Sequence, residues 1–134
     1  MLTVCVSASL RQSMLDEARE RFPEEACGFL LGVEVHRVDE VLHVANEAAE
    51  PRRHYLIDPE RYLRIQAEAS GRKQQVIGVW HSHPAADAVP SATDLAQAWP
   101  DWHYLIVGWP AAETPQLRAW WSAADGFQEE TLQT

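Results

Sequence analysis

The sequence predicts an α/β fold, a mixed β-sheet flanked by helices, on two observations. Short apolar segments of strand length alternate along the chain with segments whose apolar residues recur at helical spacing. Residues 76–80 form a continuous apolar run, which is typical of a strand that is covered on both faces and lies centrally in a sheet. Because no repeat or linker interrupts the 134 residues, we expect residues 1–134 to form a single domain.

Three helices are predicted, and each has a recognisable start. Ser7 or Ser9 can cap the first helix, because a serine side chain accepts hydrogen bonds from amide groups that have no partner within the helix. Asp58 followed by Pro59 is a cap followed by a proline, which is tolerated at the first helical position. Ser91 opens the third helix. The predicted helices span residues 7–22, 59–70 and 91–98.

The predicted strands lie between these helices and after them. Residues 2–6 alternate apolar and polar side chains, as a half-buried strand does. Residues 33–44 carry valines on both sides of Asp39 and Glu40, which predicts a hairpin that turns there. The remaining predicted strands are residues 27–32, 55–57, 76–80, 104–107, 117–121 and 126–129.

Charge and hydrophobicity exclude several classes of partner. The formal net charge of −9 argues against nucleic acid as the main partner, because phosphate binding requires basic surfaces. No run of eighteen apolar residues is present, so no membrane span is expected. The N-terminal residues lack the features of a signal peptide, which predicts a cytoplasmic location.

Cysteine and tryptophan usage adds two expectations. Cys5 and Cys27 do not suggest a disulfide framework, and each is expected to be a small buried apolar residue. Most of the six tryptophans are expected in the core or on the sheet. One or two of them could line a substrate groove or a self-association surface, which leaves a homodimer open.

One short stretch carries residues suited to metal chemistry. His81 and His83 lie two residues apart at the end of a predicted strand, so both side chains point to the same face. Their Cα atoms would be about 6.5–7 Å apart, close enough for both imidazoles to reach one ion. Asp94, one turn into the following helix, would add a third, anionic ligand. Three protein ligands leave a fourth position for water, as in catalytic zinc sites.

Simpler interpretations of these residues remain open at this point. A pair of histidines two residues apart can arise by coincidence, with each histidine serving only a structural role. Ser91 and Asp94, three residues apart, also match a capping box at the start of a helix. A capping role is compatible with a metal role, because a cap would hold the Asp94 carboxylate in a fixed orientation.

The spacing of these residues resembles the signature of the JAMM (MPN-plus) zinc metallopeptidases. That signature reads His-x-His, seven residues, then Ser-x-x-Asp. The chain matches it with His81, His83, residues 84–90, Ser91 and Asp94. The family also has a glutamate ahead of a strand, and Glu25 matches this position within residues 23–32. Further likeness at Asn46 and in residues 55–59 and 77–81 extends the resemblance over most of the chain.

The resemblance implies a role for each matching residue. His81, His83 and Asp94 would hold one Zn²⁺ per chain. Glu25 would act as the general base towards a metal-bound water and then pass the proton to the leaving amine. Ser91 would donate a hydrogen bond to the oxyanion that forms on the attacked carbonyl. The implied fold is of the JAMM type, which is related to that of cytidine deaminases.

The resemblance also implies a substrate class. Stand-alone bacterial members are associated with ubiquitin-like sulfur-carrier proteins that end in Gly-Gly, and a relative of similar length releases cysteine from such a carrier. We therefore expect a peptidase or isopeptidase that cuts the amide bond after the C-terminal glycine of the carrier. A narrow cleft would select such a tail, because only glycine fits where backbones must pass closely.

Three other functions fit the sequence less well. A non-catalytic MPN scaffold that binds partners usually lacks a metal ligand or the glutamate, and none is missing here. Zinc deaminases of the related fold require His-x-Glu with Pro-Cys-x-x-Cys, which the chain does not contain. A metallopeptidase that acts on cell-wall or phage-tail peptides would keep the same chemistry, and the absence of a signal sequence weighs against it.

The remaining candidates are interpreted as structural or solvated. Ser82 lies between the two histidines, so strand alternation points it away from the metal. Asp87 is expected to be solvated in the loop beside the site, where it could contact a substrate, and Glu24 is expected to be the solvated neighbour of Glu25. Four other histidines have no metal spacing with one another and are interpreted as surface or core residues, namely His36, His43, His54 and His103.

Overall fold

The computed structural model describes residues 2–109 and 114–134, which form one mixed sheet and three helices. The helices are α1 (Ala8–Arg21), α2 (Pro59–Gly71) and α3 (Ala92–Gln97). The strands are β1 (Thr3–Cys5), β2 (Cys27–Gly32), β3 (Glu40–Val44), β4 (Gln75–His83), β5 (His103–Gly108), β6 (Gln116–Ala123) and β7 (Gly126–Gln133). Their order in the sheet is β1-β7-β6-β5-β4-β2-β3.

The strand pairing confirms a mixed sheet with an interior β4. Strands β4 and β5 run parallel, as do β1 and β7, and the other pairs are antiparallel. Strand β4 lies between β2 and β5, as the apolar run in residues 76–80 predicts. It extends to His83 and therefore carries both histidines of the signature.

All three predicted helix starts are confirmed by capping hydrogen bonds. The side chain of Ser7, and not that of Ser9, caps α1 by accepting from the Leu10 amide at 3.3 Å. Asp58 accepts from the Glu60 amide at 3.0 Å, with Pro59 as the first residue of α2. Ser91 caps α3.

Helices cover both faces of the sheet, which explains the unbroken apolar sequence of β4. On the face that α1 covers, Met14 packs in a cluster with Leu30 and Trp80. On the face that α2 covers, Phe29 and Val79 pack with the buried residues of a second cluster. Because side chains alternate along a strand, the side chains of residues 79, 81 and 83 all point to the α2 face.

The predicted hairpin in residues 33–44 is wrong in its first arm. Only the second arm forms a strand, β3, and it pairs directly with β2. Residues 33–39 form the β2–β3 loop, whose backbone groups find partners outside a hairpin ladder. The Asp39 carboxylate accepts from the Val33 amide at 3.0 Å, and the Val38 amide donates to the Cys5 carbonyl at 2.9 Å.

The predicted strand at residues 55–57 is also absent, and the last strand is longer than expected. The Leu56 amide donates to the side-chain oxygen of Asn46 at 3.1 Å and the Leu56 carbonyl accepts from the Glu47 amide at 2.9 Å, so this backbone pairs with a loop and not with a neighbouring strand. Strand β7 continues to Gln133 instead of ending near residue 129, because its C-terminal part pairs with β1.

The two cysteines are free thiols, as predicted, but they differ in burial. Cys27 is buried in β2, whereas Cys5 is only half-buried because β1 forms an edge of the sheet. The expectation of a buried Cys5 is therefore wrong. Among the residues that the structure describes, no helix is long and apolar enough to cross a membrane.

Candidate metal centre and active site

Three side chains of the signature converge at the C-terminal end of β4. Nε2 of His81 lies 3.0 Å from Nε2 of His83 and 3.2 Å from Oδ2 of Asp94, and His83 Nε2 lies 3.1 Å from the same oxygen. All three side chains are buried. Ligand atoms around a tetrahedral zinc ion with bonds of about 2.0 Å are about 3.3 Å apart, so this triangle could hold one metal ion.

Hydrogen bonding fixes the tautomer of His83. Its Nδ1 lies 2.9 Å from the backbone carbonyl oxygen of Asp87, which can only accept, so Nδ1 carries a proton and donates it. In a neutral imidazole this leaves a lone pair on Nε2, directed at the cluster. Two acceptors, His83 Nε2 and Asp94 Oδ2, then face each other at 3.1 Å, an arrangement that a shared cation would stabilise.

Gly108 allows this hydrogen bond to form. It is the last residue of β5 and pairs with His83 across the sheet. A Cβ atom at this position would collide with the backbone of Asp87 and Ala88. The absence of a side chain therefore lets the loop after β4 fold back close enough to present its carbonyl to His83.

His81 is oriented mainly by stacking. The ring of Tyr55 lies against its imidazole, with centroids 4.4 Å apart and planes 29° from parallel. His81 Nδ1 has no hydrogen-bond partner among the described residues, in contrast to Nδ1 of His83. Burial lowers the pKa of His81 despite the opposing effect of Asp94, which favours the neutral ring that a metal requires.

Asp94 is held as a carboxylate by the start of α3. Its Oδ2 accepts from the Ser91 amide at 2.8 Å, and its own amide donates to Ser91 Oγ at 3.0 Å, which completes a capping box. Burial alone would raise the pKa of Asp94, but the contacts of its carboxylate with the imidazoles of His81 and His83 outweigh this effect and hold the pKa well below its usual range. The capping box and the three-atom cluster therefore coexist.

Glu25 reaches the cluster through the pairing of β2 with β4. Cys27 pairs with His81, and hydrogen bonds between Ala26 and Ser82 continue the antiparallel pattern one residue further. One more step along this register places Glu25 opposite His83. Glu25 is only 6% exposed, and burial raises its pKa to about 7, with smaller effects from His83, which lowers it, and from Asp94, which raises it further.

Asn46 links the glutamate segment to the loop that carries Tyr55. Its Nδ2 donates to the Glu25 carbonyl at 3.0 Å and to the His54 carbonyl at 2.9 Å, while its Oδ1 accepts from the Leu56 amide at 3.1 Å. The sequence shows Asn46 only as one point of resemblance, without a role. The structure identifies it as a residue that positions two parts of the site at once.

The remaining candidates fall outside the cluster. Ser82 points away from the metal triangle, as predicted, and its Oγ accepts from the Ala26 amide at 2.8 Å. The Asp87 side chain is exposed, and only its carbonyl contributes to the site. Burial raises the pKa of the Cys27 thiol to about 12, so it is a neutral thiol, and it donates to the Val44 carbonyl at 3.6 Å. Glu24 is exposed, as expected.

The four remaining histidines are surface or core residues, as interpreted, but two of them lie close together in space. His43 and His54 are exposed surface residues. His36 is exposed and His103 is buried, but their ring nitrogens lie within 4.8 Å of each other and of a carboxylate oxygen of Glu130. Spacing along the chain cannot show this, because the three residues come from distant segments.

An apolar groove of about 400 Å³ adjoins the cluster through Tyr55. Trp99 is 58% exposed and stacks on Trp102 with ring centroids 5.6 Å apart, and both tryptophans line this groove. The groove is lined by Phe29, Tyr55, Leu56, Ile57, Pro59, Tyr62, Leu63, Val79, Gln97, Trp99 and Trp102.

Comparison with known protein families identifies the family of this chain. Residues 7–123 match the family described as prokaryotic homologs of the JAB domain. The chain belongs to this family. The match spans α1 to β6 and therefore includes the glutamate segment and the whole His-x-His to Ser-x-x-Asp stretch. The resemblance to JAMM proteins is thereby confirmed.

Individual members of the JAB family agree with this assignment. The chain is 42% identical over 107 residues to the desampylase of Haloferax volcanii, which covers 75% of this chain and 77% of that protein. It is 31% identical over 129 residues to the CysO-cysteine peptidase of Mycobacterium tuberculosis, with 95% and 88% covered. The crystal structure of a JAB1/MPN domain protein from Archaeoglobus fulgidus superposes with a TM-score of 0.60 at 18% identity, covering 98% of this chain and 96% of that one.

Together these findings confirm the predicted fold and the predicted class of activity. The JAB1/MPN superposition shows the same arrangement of mixed sheet and helices. The family match and the enzymes related to this chain identify it as a peptidase or isopeptidase.

Proposed function

We propose that residues 1–134 form one zinc-dependent peptidase domain. It hydrolyses the amide bond that follows the C-terminal Gly-Gly of a ubiquitin-like sulfur-carrier protein. The observation that carries the chemistry is the convergence of three candidate ligand atoms, two imidazole nitrogens and one carboxylate oxygen, each within 3.2 Å of the others, beside a buried glutamate. The names desampylase and CysO-cysteine peptidase, borne by the two relatives, support the substrate class.

The proposed metal ligands are His81, His83 and Asp94. Two imidazole nitrogens and one carboxylate oxygen are a donor set that suits zinc, and three protein ligands leave a position open to substrate or water. A zinc ion bound there would act as a Lewis acid and activate water for attack on the carbonyl. The hydrogen bond from His83 Nδ1 to the Asp87 carbonyl and the stacking of Tyr55 on His81 would hold both rings in ligating orientation.

Glu25 is the proposed general base. Its carboxylate would accept a proton from the attacking water and then donate that proton to the leaving amine nitrogen. A group that performs both steps works best with a pKa near the working pH, and burial raises the pKa of Glu25 to about 7. The bond from Asn46 to the Glu25 carbonyl would fix the backbone from which this carboxylate acts.

Ser91 is the proposed donor to the oxyanion. Its Oγ already accepts from the Asp94 amide, so the hydroxyl proton is available for a different partner. Ser91 is exposed at the start of α3, next to the buried Asp94. A hydroxyl at this position could stabilise the charge that develops on the carbonyl oxygen during attack.

The apolar groove supports a folded protein as the substrate. It lies beside the cluster, and exposed apolar side chains line it, with Leu56 51% and Leu63 64% exposed. An apolar patch of the carrier could dock there while its Gly-Gly tail reaches the catalytic residues. A small peptide without a folded body would use the catalytic residues alone.

Mass spectrometry of a purified carrier that bears a C-terminal cysteine after Gly-Gly tests the proposal. The chain should remove the added cysteine, a zinc chelator should stop the reaction, and added Zn²⁺ should restore it. A matched carrier ending in Ala-Ala-Cys should be cleaved much more slowly, since the extra methyl groups hinder passage through a narrow cleft. An unchanged carrier mass with zinc bound would refute the substrate assignment, and cleavage that persists without metal would refute the mechanism.

A further inference from the structure

A second group of metal-ligating side chains lies away from the proposed catalytic centre. His36 in the β2–β3 loop, His103 at the start of β5 and Glu130 in β7 bring their ligand atoms within 4.8 Å of one another. His103 and His83 lie at opposite ends of the β4–β5 pair, since His103 pairs with Gly78 and Gly108 pairs with His83. Five residues of strand separate the two ends, which is about 16 Å. The two clusters therefore cannot share an ion.

The sheet brings the carboxylate of β7 to the imidazole of β5 across a small residue. In the intervening strand β6, Trp121 pairs with His103 and Ala119 pairs with Glu130. The methyl group of Ala119 leaves space above β6, so Glu130 Oε1 reaches His103 Nδ1 at 2.6 Å. Both side chains are fully buried.

Hydrogen bonding shows which nitrogen of His103 could bind a metal. Its Nε2 lies 2.6 Å from the Val35 carbonyl oxygen, which can only accept, so Nε2 carries a proton. Nδ1 is therefore the ligand atom, and one proton lies between it and Glu130. A metal ion that binds Nδ1 and the carboxylate would replace this proton, which leaves to solvent.

Glu130 has an oxygen that its contact with His103 does not use. Oε2 is buried and has no hydrogen-bond partner among the described residues. Buried carboxylate oxygens without partners are rare, because their removal from water is unfavourable unless a donor or a cation replaces the water. A cation next to His103 and Glu130 would satisfy this oxygen.

His36 provides the third nitrogen and a route for the ion. Its ring is exposed and meets His103 edge-on, with centroids 5.2 Å apart. Both imidazoles also pack against Trp121, at 5.4 Å and 4.8 Å, which limits their orientations. An ion could enter from solvent past His36 and reach the two buried ligands.

We propose that His36, His103 and Glu130 form a second site for a divalent transition metal ion, with Zn²⁺ as the expected occupant. Two imidazoles and a carboxylate favour zinc over the hard cations Mg²⁺ and Ca²⁺, which prefer oxygen ligands. The ion ties the β2–β3 loop to β5 and β7. Its role is structural, because the site is distant from Glu25 and the cluster around His81.

Zinc content and thermal unfolding of chelator-treated, zinc-reloaded protein test this site. Asp94→Ala removes a ligand of the proposed catalytic centre, so zinc that remains bound in this background reports on the second site. The Asp94→Ala protein should retain one Zn²⁺ per chain, and zinc should raise its unfolding temperature. Adding His36→Ala should weaken that binding by about tenfold or more and abolish the shift, because the variant lacks one ligand.

A control variant distinguishes the loss of a metal ligand from the loss of any exposed histidine. His54 is exposed like His36 but belongs to neither cluster, so Asp94→Ala with His54→Ala should bind zinc like Asp94→Ala alone. Equal zinc content in the His36→Ala and His54→Ala proteins would overturn the proposal, as would an Asp94→Ala protein that binds no zinc. Because His36 is exposed, its removal should not unfold the chain. If the proposed catalytic centre itself bound no zinc, wild type and Asp94→Ala would have equal zinc content, which is a different outcome from those above.

Discussion

Tyr55 lies against the imidazole of His81 with ring centroids 4.4 Å apart, and this contact takes the place that a hydrogen bond occupies at His83. Groups that orient a metal ligand typically change metal affinity by about 10–100-fold when they are removed. We expect Tyr55→Ala to weaken zinc binding at the proposed catalytic centre by a factor in this range. Titration with a competing chelator measures the effect.

The matched control for this prediction keeps the ring. Tyr55→Phe retains the aromatic face that stacks on His81 and removes only the hydroxyl, so its zinc affinity should remain close to that of wild type. If the phenylalanine and alanine variants lose zinc equally, the hydroxyl is responsible and the stacking is not.

Glu25→Gln should retain zinc and lose turnover. The amide has nearly the shape of the carboxylate but cannot accept the proton of the attacking water. Loss of a general base typically reduces the rate by about 10²–10⁴-fold. Zinc content and cleavage rate, measured on the same preparation, check both parts. A variant that cleaves the carrier at the wild-type rate would rule out the assigned proton transfer.

Glu25 should also make the stability of the metal-free chain depend on pH. Burial raises its pKa in the folded state from 4.5 to about 7, so between these values the folded chain binds more protons than the unfolded chain. The free energy of unfolding should therefore fall as the pH rises from about 4.5 to 7, by up to about 3 kcal/mol. Urea unfolding at several pH values measures this slope.

Glu25→Gln isolates the contribution of this one carboxyl group. The glutamine does not titrate, so the difference in unfolding free energy between the two metal-free proteins should grow in favour of the variant up to pH 7. His81, His83 and Asp94 are present in both proteins, and their contributions largely cancel. A difference that stays constant with pH would contradict the raised pKa.

Site residues that can be predicted from the sequence are close to one another along the chain, whereas those that cannot be predicted come from distant segments. His81 and His83 share one strand, and Asp94 follows in the first turn of the next helix, so their spacing along the chain indicates that the three side chains can meet. Glu25 joins them only through the pairing of β2 with β4, which local spacing does not encode. Family resemblance supplies that assignment.

The contributions that backbone groups and aromatic side chains make to the candidate site are harder to predict from the sequence. The Asp87 carbonyl holds His83, although the exposed Asp87 side chain is what the sequence presents. Tyr55 and its neighbours have the composition of a strand, but their apolar side chains line a groove, and the Asn46 side chain binds their backbone. Residue types that are common in strands are those whose side chains fit a half-buried surface. The wall of a groove is also half-buried, so the same residue types occur there.

Asn46 should affect catalysis without affecting the metal. Asn46→Asp preserves shape and the acceptor oxygen but removes the donors to the carbonyls of Glu25 and His54. Leaving these acceptors unsatisfied should lower the free energy of unfolding by about 1–3 kcal/mol. The cleavage rate should fall because the Glu25 backbone is no longer fixed, while zinc content stays unchanged. Loss of zinc would show that Asn46 supports the ligands instead.

Trp99 should contribute to binding of a folded carrier and not to the chemical step. It is 58% exposed at the apolar groove and stacks on Trp102. Removing an aromatic side chain at the centre of an interface typically costs about 2 kcal/mol or more, which corresponds to about thirtyfold. Trp99→Ala should therefore raise KM for the carrier by about this factor and leave kcat nearly unchanged.

Two comparisons make the Trp99 prediction specific. A short peptide ending in Gly-Gly-Cys lacks the folded body of the carrier, so its cleavage should be the same in wild type and Trp99→Ala. Val33 is a similarly exposed apolar residue in the β2–β3 loop, outside the groove, and Val33→Ala should leave KM for the carrier unchanged. If the carrier and the peptide lose activity equally in Trp99→Ala, the tryptophan supports the catalytic residues and the groove is not the docking surface.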